Sequence, residues 1–367
     1  MRKVGMTVPY GTLTNGLSKE RLPGLDGLRG IAIIMVLFAH FHSKDSGAII
    51  FSYLAKIGGY GVEIFFVLSG FLISFLLFRE EVKVGNIHLG QFYGRRALRI
   101  IPPLFFFLSF LLALSLCGVI SIPGIDFLAG LLFFRNYCGH RPQTEHLWTL
   151  SIEEHFYFGW PILLVFLKNH SYRIIFLAIL LLCLPFWRQY CYSCNISMRR
   201  TDLRVEPLLM GALLAALLFS DSTRFFLKSK FLCSATAILA ATFFLALASL
   251  PISSNSLPIK AVKSSISYFS VALIINSLIS GKGGIFSLAL NIPPLVWVGK
   301  ISYSLYLWQQ LFAPFPGTEP LWFTKFPINI LLSFFLATLS YYCLELPLLR
   351  LRKKSFPDSF SQTISVN

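Results

Sequence analysis

The sequence predicts an all-α fold, a polytopic integral membrane helical bundle of about ten transmembrane helices. Three observations carry that expectation. Hydrophobic residues make up 55% of the chain and charged residues only 13%, with a mean hydropathy of +0.69, and a soluble domain uses about twice that charge. Apolar runs of near-spanning length follow one another almost from end to end. The basic residues collect in connections that fall on one side of the membrane, where Lys and Arg accumulate in cytoplasmic loops.

The elements follow in order. Arg2, Lys3, Lys19 and Arg21 make residues 1–27 a basic cytoplasmic segment, polar and without the apolar core of a secretory signal. The first span runs outward over Leu28–His42, and the second returns over Gly61–Phe78 to Arg79 and Lys83. Residues 88–99 lie inside or at the interface with Arg95, Arg96 and Arg99. The third span, Ile100–Ile122, carries Pro102 and Pro103 in its first turn, where proline is tolerated. The run Phe127–Phe134 is short for a crossing and is expected to be re-entrant or to lie on the outer surface.

The fourth span, Leu147–Leu167, returns to Lys168 and Arg173, and the fifth is Ile174–Trp187. The sixth, Val205–Phe219, leads in to Arg224, Lys228 and Lys230. Phe231–Leu250, Ile266–Ile279, Val296–Phe315 and Pro327–Leu349 complete the set, with Lys282 in an inner loop. The membrane domain is therefore residues 28–349, followed by a cytoplasmic tail, 350–367, that opens on Arg350, Arg352, Lys353 and Lys354. One loop resists this map: residues 188–204 carry Arg188, Arg199, Arg200 and Arg204 yet fall outside. Either the 127–134 run crosses, or those arginines are held there for a purpose; the second is favoured.

The net charge of +16 is read as positive-inside bias and not as nucleic-acid binding, since no soluble basic domain is expected. Of the seven cysteines, Cys117, Cys183, Cys233 and Cys343 lie in apolar runs as small hydrophobes. Cys191 and Cys194 form a CxxC spacing whose disulfide state is left open, and no metal site is expected.

Ionisable groups within a span cost a few kcal/mol each, which makes them functional candidates. Arg29 and His40 are eleven residues apart on the first span, about 16 Å and nearly a whole number of turns, so both project from one face. His40, toward the outer end, is the residue type that exchanges a proton near neutral pH, as acyl transfer to a hydroxyl requires. Glu153 and Glu154 enter the fourth span from outside, and one of them is expected to pair with His40 as the third member of a triad does. The competing reading is a pair that neutralises buried arginines elsewhere. Arg96 and Arg99, at i and i+3, suit the phosphates of a coenzyme A thioester or serve as an ordinary interfacial anchor. Ser69-Gly70 is read first as a small-residue helix contact, with Ser69 beside the donor, or a nucleophile, as the other possibility. Arg204 and Glu206, with Trp148 and Tyr157, are the candidates for acceptor binding; Arg204 and Glu206 could equally pair with each other.

The same residues carry a family resemblance. Leu25-Asp-Gly-Leu-Arg29 through His40, Gly61 through Ile73, Arg96-x-x-Arg99, Trp148 through Tyr157, Ile301-Ser-Tyr-Ser-Leu-Tyr-Leu-Trp308 and Glu345-x-Pro347 stand in the order of blocks in the acyltransferase 3 family. Over residues 25 to about 350 the chain resembles these membrane-bound glycan O-acetyltransferases. The resemblance implies ten spans and transfer of acetyl from cytoplasmic acetyl-CoA, bound by Arg96 and Arg99, to a hydroxyl of an extracytoplasmic glycan. It makes His40 the acid/base, with Glu153 or Glu154 as its partner, in a bacterial inner membrane. Lipopolysaccharide O-antigen is the first expected acceptor, then a lipo-oligosaccharide signal or peptidoglycan. Two departures stand out: Gln309 replaces a frequent family His after Leu-Trp, and Arg204-x-Glu206 replaces Arg-x-Asp. The alternative class is a transporter or flippase of a glycan or anion; it gives no reason for His40 and a carboxylate at one depth, and the internal repeats such proteins often show are not visible.

Overall fold

Apolar chain crosses a bilayer as helix because a helix satisfies its own N–H and C=O groups. The computed structural model follows that rule. It describes residues 23–41, 57–139, 141–220, 222–223, 227, 239–246, 257–280, 284–314 and 321–355. Among these the regular elements are helical. Six helices are long and apolar enough to cross a membrane: Gly24–Phe41, Tyr60–Val84, Leu89–Leu116, His170–Ser193, Val262–Ile279 and Ile328–Arg352. The chain is thus an all-α, multi-pass membrane bundle; among the described residues six helices meet the spanning criteria, and the expected count of about ten is not established. Arg2, Lys3, Lys19, Arg21, His42, Arg224, Lys228, Lys230, Cys233, Lys282, Phe315 and the tail beyond Ser355 lie outside the described residues, as do most of the expected span 231–250 and the side chains of Lys353 and Lys354.

In chain order the helices are α1 (Pro23–Phe41), α2 (Tyr60–Val84), α3 (Leu89–Leu116), α4 (Gly124–Leu131), α5 (Pro142–Glu145), α6 (Leu147–Phe166), α7 (His170–Ser193), α8 (Thr201–Arg204), α9 (Glu206–Phe219), α10 (Leu257–Ile279), α11 (Gly284–Leu290), α12 (Pro293–Lys300), α13 (Ser302–Gln309), α14 (Ile328–Ser340) and α15 (Leu346–Ser355). Two expectations about shape are corrected. Helix α3 begins at Leu89 instead of Ile100, so Pro102 and Pro103 lie inside it. A neighbouring helix supports the loosened stretch, the Tyr303 hydroxyl donating to the Ile100 carbonyl at 2.9 Å. The expected ninth span is broken at Ile301 into α12 and α13 and ends in the 3-10 turn Gln310–Phe312. Between α14 and α15 lies a π-helical turn, Tyr341–Glu345. It ends two residues before Pro347, whose missing N–H leaves the ladder one bond short.

Small residues set the closest helix contacts. A Cβ on Gly70 of α2 would lie 1.9 Å from the Leu208 carbonyl oxygen of α9, and one on Gly211 would lie 2.1 Å from that of Val67. Only glycines allow two backbones to approach so far, so the Ser69-Gly70 pair does mark a helix contact. The same device presses α12 on α1, where a Cβ on Gly299 would meet the Asp26 carbonyl oxygen at 1.8 Å. These two clasps fix α1 and α2, which carry most of the polar groups described below.

Helix α4 has eight residues, about 12 Å, and cannot cross a bilayer. It is held by a buried network in which Arg135 lies 3.3 Å from Asp126 and donates to Thr144 Oγ1 at 3.0 Å. With the 127–134 run too short to span, the arginines of 188–204 need another explanation, and their partners supply it. Arg188 pairs with Glu206, Arg199 with Glu145, and Arg200 with Asp202. Burial pushes the Asp202 carboxyl up, but hydrogen bonds from Arg200 and Trp187 outweigh it and hold the group below the usual carboxylate range. Three of the four charges are therefore neutralised within the folded chain, and the fourth, Arg204, is turned toward the site. Cys191 and Cys194 are free thiols, the first buried and the second exposed.

Candidate active site

Helix α1 sets the long axis of the site. Arg29 and His40 lie near its two ends, as their spacing predicts, and each joins a different polar cluster.

At the His40 end, α1, α2, α6 and α13 surround a cavity of about 560 Å³. His40, Glu63, His146, Trp148, Arg204 and Tyr306 are among the side chains that line it. Its size falls within the usual range for a small-molecule site, about 300–1,000 Å³. Gln309 lies alongside the His40 ring, and Glu145 is the acidic group in its field. His40 Nδ1, Glu63 Oε2, Gln309 Oε1 and both ring nitrogens of His146 are buried without a hydrogen-bond partner. At the rim, Arg204 Nε donates to the Met198 carbonyl at 2.9 Å, and its guanidinium lies over the Trp148 ring, 5.6 Å from the centroid. Tyr306 ties α13 to the start of α6, bonding the His146 carbonyl at 2.8 Å and Thr149 Oγ1 at 2.6 Å.

At the other end, Arg29 lies in the field of Arg99, Asp26, Tyr157 and Arg96. Its closest acidic atom is Asp26 Oδ1, at 3.9 Å. The Arg96 guanidinium stacks 4.4 Å from the centroid of the Tyr157 ring. Glu153 sits against Ser69 and among Arg96, Arg29 and Arg99, while Glu154 faces Arg96 and leaves Oε1 unpartnered. Arg99 also faces Tyr303 and Glu345, and Glu345 accepts a hydrogen bond from Ser304.

The structure thus sorts the sequence candidates into two groups. His40, Arg204 and Trp148 meet at the cavity; Arg29, Arg96, Arg99, Ser69, Tyr157, Glu153 and Glu154 meet at the opposite end. Neither Glu153 nor Glu154 forms an ion pair with His40; their near charges are arginines, the competing reading given above. The physical reason is depth: six or seven residues past Leu147 is about 10 Å further along α6, level with the arginines and below the cavity. Tyr157 is deeper still. Glu206 does not pair with Arg204; it holds Arg188 and accepts from Ser265 at 2.5 Å.

Sequence reasoning passed over Glu63, Glu145 and His146. For Glu63 the signal was present, an acidic residue in the first turn of an apolar span. Glu145 and His146 read as loop residues ahead of α6, and only the packing of α13 and α1 against that loop encloses them.

A family model described as an acyltransferase domain matches residues 22–346, and the chain belongs to that family. It is similar to the O-acetyltransferase OatA of Staphylococcus aureus strain NCTC 8325, at 28% identity over 95% of this chain and 60% of that protein. It is also similar to a candidate O-acetyltransferase of Staphylococcus aureus strain COL, at 30% identity over 91% of this chain and 59% of that protein. The chain therefore spans about 60% of the length of the relatives it matches. No solved structure matches it.

Proposed function

We propose that this chain is a membrane O-acetyltransferase that moves an acetyl group from acetyl-CoA to a hydroxyl of an extracytoplasmic glycan. The observation that carries the reading is the separation along α1: an imidazole facing an open cavity at one end, and three arginines gathered at the other. Phosphates of the donor bind the Arg96 and Arg99 end from the cytosol by charge-assisted hydrogen bonds, for which the guanidinium fork is suited. Glu153 and Glu154 hold those guanidiniums in place until the donor arrives. The long flexible arm of the donor then carries its thioester toward His40.

In the cavity His40 removes the proton of the acceptor hydroxyl as the oxygen attacks the thioester carbonyl. The C–S bond breaks, and the proton passes to the departing thiolate. General base assistance of this kind contributes typically about 10²–10⁴ in rate, and positioning contributes the rest. Gln309 orients the ring, and Glu145 offsets the charge of the transient imidazolium. Arg204 and Trp148 offer the acceptor a donor fork and an apolar ring face. The protein lies in the bacterial inner membrane with both termini in the cytoplasm. Lipopolysaccharide O-antigen is the first acceptor to examine, followed by a lipo-oligosaccharide and peptidoglycan.

The test is deletion of the gene and complementation with wild type or His40→Ala, followed by mass spectrometry of each surface glycan. One acetyl mass per sugar unit, lost on deletion and restored only by the wild type, supports the reading and names the acceptor. Full restoration by His40→Ala removes the mechanism. No mass change in any glycan removes the activity and favours a transporter.

A further inference from the structure

His146 is a buried group with no structural job for its ring. The residue is 2% exposed, and neither ring nitrogen makes a well-formed hydrogen bond within the chain, although the Leu307 backbone lies beside the ring. Its aromatic neighbours offer ring edges and faces: Phe107 packs edge-on at 5.5 Å between centroids and Tyr306 at 5.4 Å. The one polar group of Tyr306 bonds the backbone carbonyl of His146 and leaves the imidazole alone. A buried polar group left unmade costs about 1–3 kcal/mol, and a core position serving only packing would be filled more favourably by Phe or Leu. The ring does line the cavity that holds His40. A neutral imidazole has one N–H donor and one acceptor nitrogen, and a sugar hydroxyl both accepts and donates.

Around it the other unpartnered groups lining the cavity are His40 Nδ1 and the carboxyl oxygen Glu63 Oε2. An anionic ligand group, which only accepts, would leave that carboxyl oxygen unmet. A ring bearing several free hydroxyls meets them all.

Resting on the acetyltransferase reading above, we propose that His146 is a positioning residue for the acceptor: as a neutral imidazole it binds a second hydroxyl of the sugar ring, neighbouring the one that His40 deprotonates, and so decides which hydroxyl is acetylated. No bond to His146 is made or broken. The proton path stays with His40.

The test uses membrane vesicles carrying wild type, His146→Phe or His146→Asn, with acetyl-CoA as donor and alkali-treated, de-O-acetylated surface glycan of the deletion strain as acceptor. The expected result for His146→Phe is a rise of about tenfold or more in the acceptor KM, the fold-change for one lost buried hydrogen bond. The KM for acetyl-CoA and the pH profile stay as in wild type. NMR of the product shows acetyl groups spread over neighbouring hydroxyls, a change that a purely structural role would not produce. His146→Asn, which keeps one donor and one acceptor, recovers part of the selectivity.

Wild-type acceptor KM and wild-type regiochemistry in His146→Phe overturn the proposal. So does a loss of kcat with an altered pH profile, which would make His146 a proton carrier. If His146→Phe fails to bind acetyl-CoA, the decision falls to the wild type alone: acceptor derivatives with the neighbouring hydroxyls methylated must react poorly, and equal reaction overturns the idea. Absence of any transfer by the wild type overturns the acetyltransferase reading itself, a result distinct from all of these.

Discussion

The two ends of α1 are both polar and both buried, but they are polar in different ways. At the Arg29 end most charged groups answer one another, with Glu154 Oε1 left over: Asp26 to Arg29, Tyr157 to Arg96, Glu153 to Ser69 and three guanidiniums, Ser304 to Glu345. At the His40 end the ion pairs stay at the rim, as with Arg199 and Glu145, and the groups facing the cavity are left unmet. A buried polar group without a partner is costly, so a cluster of them beside an open volume indicates where a ligand completes the structure. A compensated cluster indicates a place where charges must be stable before the ligand binds, then exchange partners when it does. The difference separates chemistry from anchoring.

The sharpest way to break that comparison is His40→Ala. Transfer should fall by about 10²–10⁴ while acetyl-CoA affinity, measured by calorimetry on the detergent-solubilised protein, stays unchanged. Equal loss of both would mean that the two ends are one site. Arg99→Ala should do the reverse, raising the KM for acetyl-CoA by about 10–100-fold, as expected for a lost charge-assisted bond, with a smaller change in kcat. A donor KM that does not move would detach the arginine end from the donor.

Gly70→Val tests what the ends share. Overpacking the α2–α9 contact should cost about 1–3 kcal/mol or more, seen as a lower thermal unfolding midpoint, and it should weaken donor binding and transfer together. A variant as stable as wild type would show that the backbone contact is not tight. The smallest effect is expected for Arg199→Ala, whose pair with Glu145 is largely exposed. Such pairs contribute about 0–1 kcal/mol, so steady-state rates should change less than about fivefold. A larger loss would move Arg199 from the rim into the site.

Much of this was legible beforehand, and the parts that were not have a common cause. Arg29 and His40 sit on one helix, and helical geometry alone separated them along its axis. Arg204 stands out in the sequence as a basic residue of an expected outer loop, and the structure sets it beside Trp148 at the cavity. The partners of Glu153 and Glu154, open between His40 and buried arginines on sequence alone, depend on the depth of α6 relative to α1, a quantity that no spacing within either helix contains. Of the four arginines of residues 188–204, three find carboxylates on α5, α8 and α9, which no reading of the loop alone could supply.

By itself the sequence determined that the chain is helical and membrane-embedded, since backbone hydrogen bonding in an apolar solvent allows few alternatives. It also determined that one helix carries an arginine and a histidine on the same face. Only the tertiary structure decided which partners each receives. Those partners come from five or more separate helices, held by close backbone contacts at Gly70, Gly211 and Gly299 that no side chain would allow. Periodicity along a chain reports which face a residue occupies; which other face it meets is settled by packing.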